Sequence, residues 1–263
     1  MAYQFLISER DGAVEHVTLN RPDVRNSLNE ELIAELAVWA AAVTEQARRG
    51  EVRAAVLGGA GAAFCAGADV AWMAKSVDYT EDENMRDALA LSRTFGALNA
   101  LPIPLIGRVQ GGAIGGGAGL AAVCDVVVAD DRALFGFTEV KLGIVPAVIS
   151  PFVLAKIGRS AARELFLTGM RFSAARAREL GLVHAVVPEQ DLDATVGRYL
   201  GEVLSAAPGA IAAAKALVAD VWGQSVEDAR ATTATAIATR RVSAEGQEGL
   251  RAFLQKRKAS WSL

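Results

Sequence analysis

Two glycine-rich segments are places where the backbone, not the side chains, could do chemistry. The first is Ala63-Phe64-Cys65-Ala66-Gly67-Ala68-Asp69. Its small residues let a ligand approach the main chain closely, and a helix starting here would aim free N–H groups outward. Asp69 would then sit near the positive end of that helix, where a carboxylate is favourable. The second is Gln110-Gly111-Gly112-Ala113-Ile114-Gly115-Gly116-Gly117-Ala118-Gly119. Glycine weakens helices and strands alike, so this density has a cause: a ligand lying against the backbone, or a helix packed closely on a sheet. Taken alone, each segment is equally a tight strand-to-helix turn. Together they meet a specific demand. Removing a proton beside a thioester carbonyl builds negative charge on its oxygen, and two preorganised N–H donors stabilise that oxyanion by roughly several kcal/mol.

The elements that must hold these turns follow from periodicity. Two short strands, about Tyr3–Ser8 and Ala13–Leu19, flank the turn residues Asp11-Gly12. Ser27-Leu28-Asn29-Glu30 has the form of a capping box. Leu32, Leu36, Ala40, Val43 and Ala47 then recur at helical spacing, up to Arg48, Arg49 and Gly50. Ala54–Leu57 reads as a buried strand running into the first glycine segment. A helix over about Glu81–Ala100, a strand at Pro104–Val109, the second glycine segment and a strand at Asp125–Ala129 repeat that order. Such repeats predict an α/β architecture, a spiral rather than a doubly wound sheet. After about Ala161 the pattern turns helical, at Ala161–Leu167, Ala174–Leu180, Leu192–Ser205, Ala210–Val221 and Val226–Arg240, with one strand at Leu182–Val187. The expected organisation is a core over residues 1–200 and a helical C-terminal region over residues 201–263.

Composition narrows the classes. The chain has 263 residues, 52% of them hydrophobic, enough for a sizeable core and too many for a disordered protein. A net charge of -3 argues against a wholly basic nucleic-acid surface. Two cysteines, Cys65 and Cys124, cannot form a disulfide framework, and no Cys/His spacing resembles a metal site. The opening residues Met1 to Phe5 lack the basic and apolar regions of a leader, and no apolar stretch is long enough for a membrane span. A cytoplasmic setting is expected, without nucleic acid, membrane or metal. His16 and His184 lack an evident nucleophile or metal partner and read as structural.

Four motifs in register carry a resemblance. Asn20-Arg21-Pro22 with Asn26-Ser27-Leu28, then Phe64 to Asp69, then Gly115-Gly116-Gly117, and finally Phe135-Gly136-Phe137-Thr138-Glu139-Val140-Lys141-Leu142-Gly143 resemble the successive signatures of the enoyl-CoA hydratase/isomerase (crotonase) family. The likeness runs over essentially the whole chain, ending with Gly249–Lys258. It implies a crotonase-like spiral of repeated ββα units with a helical C-terminal region. It also implies a CoA thioester substrate with no separate cofactor, and trimers, usually paired into hexamers, in which the C-terminal helices pack between subunits.

For the site, the resemblance puts the oxyanion donors on the N–H groups of Ala68 and Gly116 and the acid–base role on Glu139. The substrate and CoA contacts fall on Arg25, Ala66, Ala68, Asp69, Val70, Gly115, Gly116 and Lys256. The family's hydratases usually carry a first glutamate two residues after Gly117; here that position is Gly119. One carboxylate can still take an α-proton and protonate a departing β-hydroxyl, or move a proton between carbons as an isomerase does. The plainer alternative makes Glu139 a surface residue or an ion-pair partner of Lys141.

Gly119 together with Pro146-Ala147-Val148-Ile149-Ser150-Pro151-Phe152 resembles bacterial 3-methylglutaconyl-CoA hydratases, which interconvert that thioester with 3-hydroxy-3-methylglutaryl-CoA. Such a substrate carries a free carboxylate, for which Lys141, Arg108 and Ser150 are candidates. Arg25 and the cluster Arg251, Lys256, Arg257 and Lys258 could face CoA phosphates, or simply form the solvated cationic end of the last helix. Two other readings stand beside this one. Gly117-x-Gly119-x-x-Ala122 fits a relaxed dinucleotide fingerprint, with Glu139 downstream for a ribose. A non-catalytic acyl-CoA-binding protein would also retain the fold.

Overall fold

The computed structural model describes residues 3–262. Met1 and Ala2, at the start of the segment expected to lack leader features, and Leu263 lie outside the described residues. Among the described residues no single helix is long and apolar enough to cross a membrane.

The chain opens with a hairpin, β1 (Leu6–Asp11) against β2 (Val14–Leu19), turning at Gly12 with a positive φ of 56°. α1 (Glu30–Arg48) follows. Its cap is Asn29, whose side chain accepts from Leu32 N–H at 3.0 Å. The capping box expected at Ser27 does not form, because the Ser27 hydroxyl is turned back to donate to Val24 C=O at 2.6 Å. The apolar stripe lies as the periodicity requires: Leu32, Leu36, Trp39, Ala40 and Val43 are buried. Each such large side chain contributes about 1.5–3 kcal/mol by leaving water.

From β3 (Ala54–Gly59) onward the chain winds as a spiral. After β3 come α2 (Val70–Ser76) and α3 (Glu81–Asn99), the latter held by a true capping box between Thr80 and Glu83. Next are β4 (Leu105–Val109), β5 (Gly112–Ile114) and α4 (Gly116–Val123). β6 (Val126–Asp130), β7 (Leu134–Gly136) and α5 (Ser150–Thr168) form the following turn. β8 (Arg171–Ser173), α6 (Ala174–Glu179) and β9 (Ala185–Val187) close the core.

The strands divide between two sheets. One runs β1-β2-β3-β4-β6-β9 and is parallel except for β1; the other runs β5-β7-β8. Successive turns therefore put their first strand (β3, β4, β6) in the large sheet. The second strand of the later turns (β5, β7) lies in the small one, and a bridge from Cys65 to Ala113 extends that sheet to the chain leaving β3. This stacking brings equivalent points of consecutive turns side by side.

α5 starts well before the helix expected at Ala161. Pro151 sits in its first turn, where a missing N–H costs nothing, and Gly158 at φ 71° marks a kink between two helical stretches. α7 (Leu192–Ser205) runs through position 200 and packs on β3, β4, β6 and β9. α8 (Pro208–Val221), α9 (Ala229–Val242) and α10 (Ala244–Leu254) then pack chiefly on one another. Lys215 of α8 ties them to the core through Asp125 at 2.7 Å and Ile103 C=O at 3.2 Å. His184 is structural: its Nδ1 accepts from Val127 N–H at 3.0 Å.

Candidate active site

Three consecutive turns of the spiral each deliver one part of the site. The first two are stitched by main-chain hydrogen bonds: Phe64 N–H to Gln110 C=O (2.8 Å), Cys65 N–H to Gly112 C=O (3.0 Å) and Ile114 N–H to Cys65 C=O (3.1 Å). Glycine makes this approach feasible. A Cβ on Gly117 would fall 2.2 Å from Cys65 O, and one on Gly67, already at φ +98°, would fall 2.8 Å from Ile114 O. The third turn joins through Gly115 N–H to Gly136 C=O at 2.8 Å. A Cβ on Gly115 would lie 3.2 Å from Glu139 Oε1, so the carboxylate sits directly beside the second glycine turn.

Ala68 and Gly116 are both partly accessible, and among the described residues neither N–H has a protein acceptor. Gly116 opens α4, whose first N–H groups have no intrahelical partner. Ala68 immediately precedes Asp69, the cap of α2. The two donors sit on adjoining turns, because Gly67, just before Ala68, lies against Ile114 and Gly115, just before Gly116. Glu139 heads a 3-10 turn, Glu139–Leu142, closed by Gly143 in the left-handed conformation. Its Oε2 is buried without a hydrogen-bond partner, and burial pushes its carboxyl above the usual carboxylate range. Glu139 is half-buried, and among the described residues it forms no ion pair with Lys141, whose stem lies over Gly169. A carboxylate with one unpartnered oxygen can move a proton at a carbon next to a carbonyl that free N–H donors polarise.

The position of the absent first glutamate is filled. A Cβ on Gly119 would meet Ile149 Cγ2 at 2.2 Å and Phe95 Cε1 at 2.8 Å. Phe95 and Ile149 are buried, and Phe152 packs near Phe95 with ring centroids 6.2 Å apart. The wall opposite the glycine is apolar.

The other expected residues divide. Asp69 is buried, and its side chain is committed to Ala71 N–H at 2.8 Å and to Arg21 at 2.8 Å; these contacts hold its carboxyl below its ordinary range despite burial, which opposes them. Ala66 N–H donates to Arg25 C=O at 2.9 Å, so that amide is occupied. Arg25 is exposed at φ 53°, next to this turn, and Val70 is exposed at 77%. Arg108 is not a site residue: its guanidinium is held by Asp193 and Gln110 on the face packed by α7. Ser150 donates to Ala147 C=O at 2.7 Å beside Ile149. Lys256 is exposed just beyond α10, which packs on α8 and α9. Arg257 pairs with Glu248 at 2.7 Å.

The dinucleotide fingerprint fails on geometry. Gly117, Gly119 and Ala122 all lie inside α4, not on a strand-to-helix turn, and their small size serves close packing. Among the described residues no group of three or more His, Cys, Asp or Glu is arranged to hold a metal ion. Phe95 and Ile149, which form the wall at Gly119, carry no signal in the sequence, and Arg21 and Asn26 stand out there only as members of a motif. Asn26 is buried and bonds Arg21 N–H, Ala60 C=O and Ala63 C=O, at 2.9, 2.8 and 2.8 Å.

Comparison with known proteins identifies the family. The family model for enoyl-CoA hydratase/isomerase matches residues 9–262. The crotonyl-CoA hydratase of Syntrophomonas wolfei is 32% identical over 264 residues, covering 99% of each chain. Among solved structures, an enoyl-CoA hydratase from Shewanella pealeana superposes with a TM-score of 0.93 at 37% identity, covering 98% of this chain and 96% of that one. AtuE of Pseudomonas aeruginosa superposes with a TM-score of 0.94 at 37% identity, covering 99% and 100%.

Proposed function

The chain belongs to the enoyl-CoA hydratase/isomerase family, and on that premise we propose that it reversibly hydrates an enoyl-CoA thioester with Glu139 as its one acid–base group. The observation that carries this reading is the unpartnered Oε2 of Glu139 beside the second glycine turn, with the N–H groups of Ala68 and Gly116 lacking a protein acceptor among the described residues. In the dehydration direction the Glu139 carboxylate removes the α-proton, and the thioester oxygen becomes an oxyanion held by the two amides. The β-hydroxyl then leaves with that proton as water, the double bond forms, and Glu139 returns to carboxylate. Hydration is the reverse. Each backbone donor is worth about 3 kcal/mol in comparable acyl chemistry.

The substrate pair we favour is 3-methylglutaconyl-CoA and 3-hydroxy-3-methylglutaryl-CoA. Support comes from the Gly119 and Pro146–Phe152 pattern, and from Lys141, exposed and without an ion-pair partner among the described residues, as a cation for the distal carboxylate. CoA would lie along Arg25, Ala66 and Val70. The apolar side chains exposed on α8–α10, Trp222 (70%), Val242 (78%), Phe253 (82%) and Leu254 (78%) among them, support assembly into trimers or paired trimers. In such an assembly Lys256 would serve a neighbouring subunit's CoA. Light scattering on the purified protein tests the assembly; a monomer at micromolar concentration refutes it.

The apolar wall at Gly119 gives one second reading, a double-bond isomerase, because a lone carboxylate suffices to move a proton between carbons. Mass spectrometry with 3-hydroxy-3-methylglutaryl-CoA, 3-methylglutaconyl-CoA, crotonyl-CoA and a 3-enoyl-CoA separates the two. A change by the mass of water on the first two is expected, lost by about a hundredfold or more in Glu139→Gln while acyl-CoA binding persists. Isomerisation without hydration selects the second reading; binding without any turnover makes the chain an acyl-CoA-binding protein.

A further inference from the structure

Neither oxyanion donor has a side chain that aims it. For Gly116 the helix does so: the carbonyl of its own peptide, Gly115 C=O, accepts from Gly119 N–H at 3.0 Å, leaving Gly116 N–H at the positive end of α4. Ala68 lies before the cap of α2 and is held differently. The carbonyl of its own peptide, Gly67 C=O, accepts from Leu28 N–H at 2.7 Å. The carbonyl of Leu28's own peptide, Ser27 C=O, in turn accepts from the Arg21 guanidinium. No peptide among the described residues is cis, so the C=O and N–H of each point in opposite directions. Arg21, the Ser27–Leu28 peptide and the Gly67–Ala68 peptide therefore form one hydrogen-bonded line with a cation at its head and Ala68 N–H at its open end.

The same guanidinium also fixes the other flank of Ala68. It pairs with Asp69 at 2.8 Å, the two side chains being only 14% and 8% exposed, while Asp69 N–H donates to Leu28 C=O at 2.8 Å. Phe5 lies under the guanidinium, its ring centroid 5.0 Å from Arg21 Cζ. We propose that Arg21 is a positioning residue for the Ala68 oxyanion donor, acting through these two peptides. Hydrogen bonds in such a line polarise one another, by about 10–30% per bond, so Arg21 both aims the donor and strengthens it. A lysine retains the charge but not the planar fork that reaches Ser27 and Asp69 together. The proposal rests on the oxyanion reading given above.

The test is isotope-edited infrared spectroscopy of butyryl-CoA carrying carbon-13 at the thioester carbonyl, a saturated ligand that binds without reacting. Binding to the parent protein should move the carbonyl band to lower wavenumber. In Arg21→Met the movement should shrink and kcat should fall about tenfold or more while KM changes less than about threefold, the split expected when an interaction specific to the transition state is lost. Arg21→Lys should fall between the two. A band that moves as far in Arg21→Met as in the parent overturns the relay while leaving the oxyanion reading intact. A band that does not move in the parent overturns that reading itself, and the relay with it. Should Arg21→Met not fold, Arg21→Lys decides: a smaller movement supports the relay and an unchanged one refutes it.

Discussion

Gly119→Glu puts back the carboxylate that two-glutamate hydratases carry, and the structure gives it no room. Its Cβ alone would lie 2.2 Å from Ile149 Cγ2 and 2.8 Å from Phe95 Cε1, where carbon contacts prefer ~3.5–4.0 Å. Both neighbours are buried, so neither can swing into solvent. Overpacking of this kind costs about 1–3 kcal/mol. Burying a carboxyl against an apolar wall without a partner adds roughly 2 kcal/mol or more. A total near ~4 kcal/mol is a large part of the ~5–15 kcal/mol that stabilises a domain, and corresponds to a fall in Tm of about 8–16 °C. Thermal unfolding followed by circular dichroism at fixed protein concentration measures this, alongside turnover of the hydration reaction. The variant should melt earlier and gain no hydratase rate. Shortening the obstructing side chain should change the sign of the coupling: Gly119→Glu with Ile149→Ala should be more stable than the two single effects added together. A Gly119→Glu protein that melts with the parent, or hydrates faster, would falsify the packing argument.

Further expectations concern the same neighbourhood. Because burial raises the Glu139 pKa, the acid limb of kcat/KM should lie above the ~4.3 of an ordinary glutamate and vanish in Glu139→Gln. The stability effect has a definite sign. A raised folded-state pKa contributes stability that is fully present below the unfolded value and lost as pH rises through the folded one, so Glu139→Gln should melt above the parent beyond that window, and equal melting at neutral pH would contradict this. Gly117→Ala should lower Tm and reduce kcat by about a hundredfold, since its Cβ would fall 2.2 Å from Cys65 O and part the two stitched turns; parent-like kinetics would refute that contact. Cys65 and Cys124 are buried with thiols pushed up to about 12, so an aromatic disulfide reagent should label neither in the native protein and both after unfolding.

What could be read from sequence was local. The stripe from Leu32 to Val43 is buried because its helical period is complete within one element, and β3 follows from an apolar run between a helix end and a glycine segment. Ala68, Gly116 and Glu139 follow from motifs, and in the structure they lie on three successive turns joined by main-chain hydrogen bonds, with Glu139 against Gly115. Features that depend on one turn touching another were not legible. Arg108 has the charge to bind a carboxylate, yet Asp193 lies across from it on α7. Ile149 and Phe95 are ordinary apolar residues until the fold sets both against Gly119. α5 begins eleven residues before the helix expected at Ala161, with Pro151 in its tolerant first turn and Gly158 at a kink.

The two main-chain donors have a consequence for how this site is inherited. An amide N–H is present whichever amino acid a codon specifies, proline excepted, so substitution at position 68 or 116 changes the atoms around the donor and not the donor itself. Alanine scanning has nothing to remove at Ala68. What sets the donors is the space around them: Gly67 and Gly117, whose missing side chains let the turns close, Gly116, where a Cβ would fall 2.8 Å from Leu28 Cδ1, and Leu28, which holds the Gly67 carbonyl. Replacing a single amide by an ester, through chemical ligation or ribosomal incorporation of a hydroxy acid, would delete one donor and leave every side chain in place.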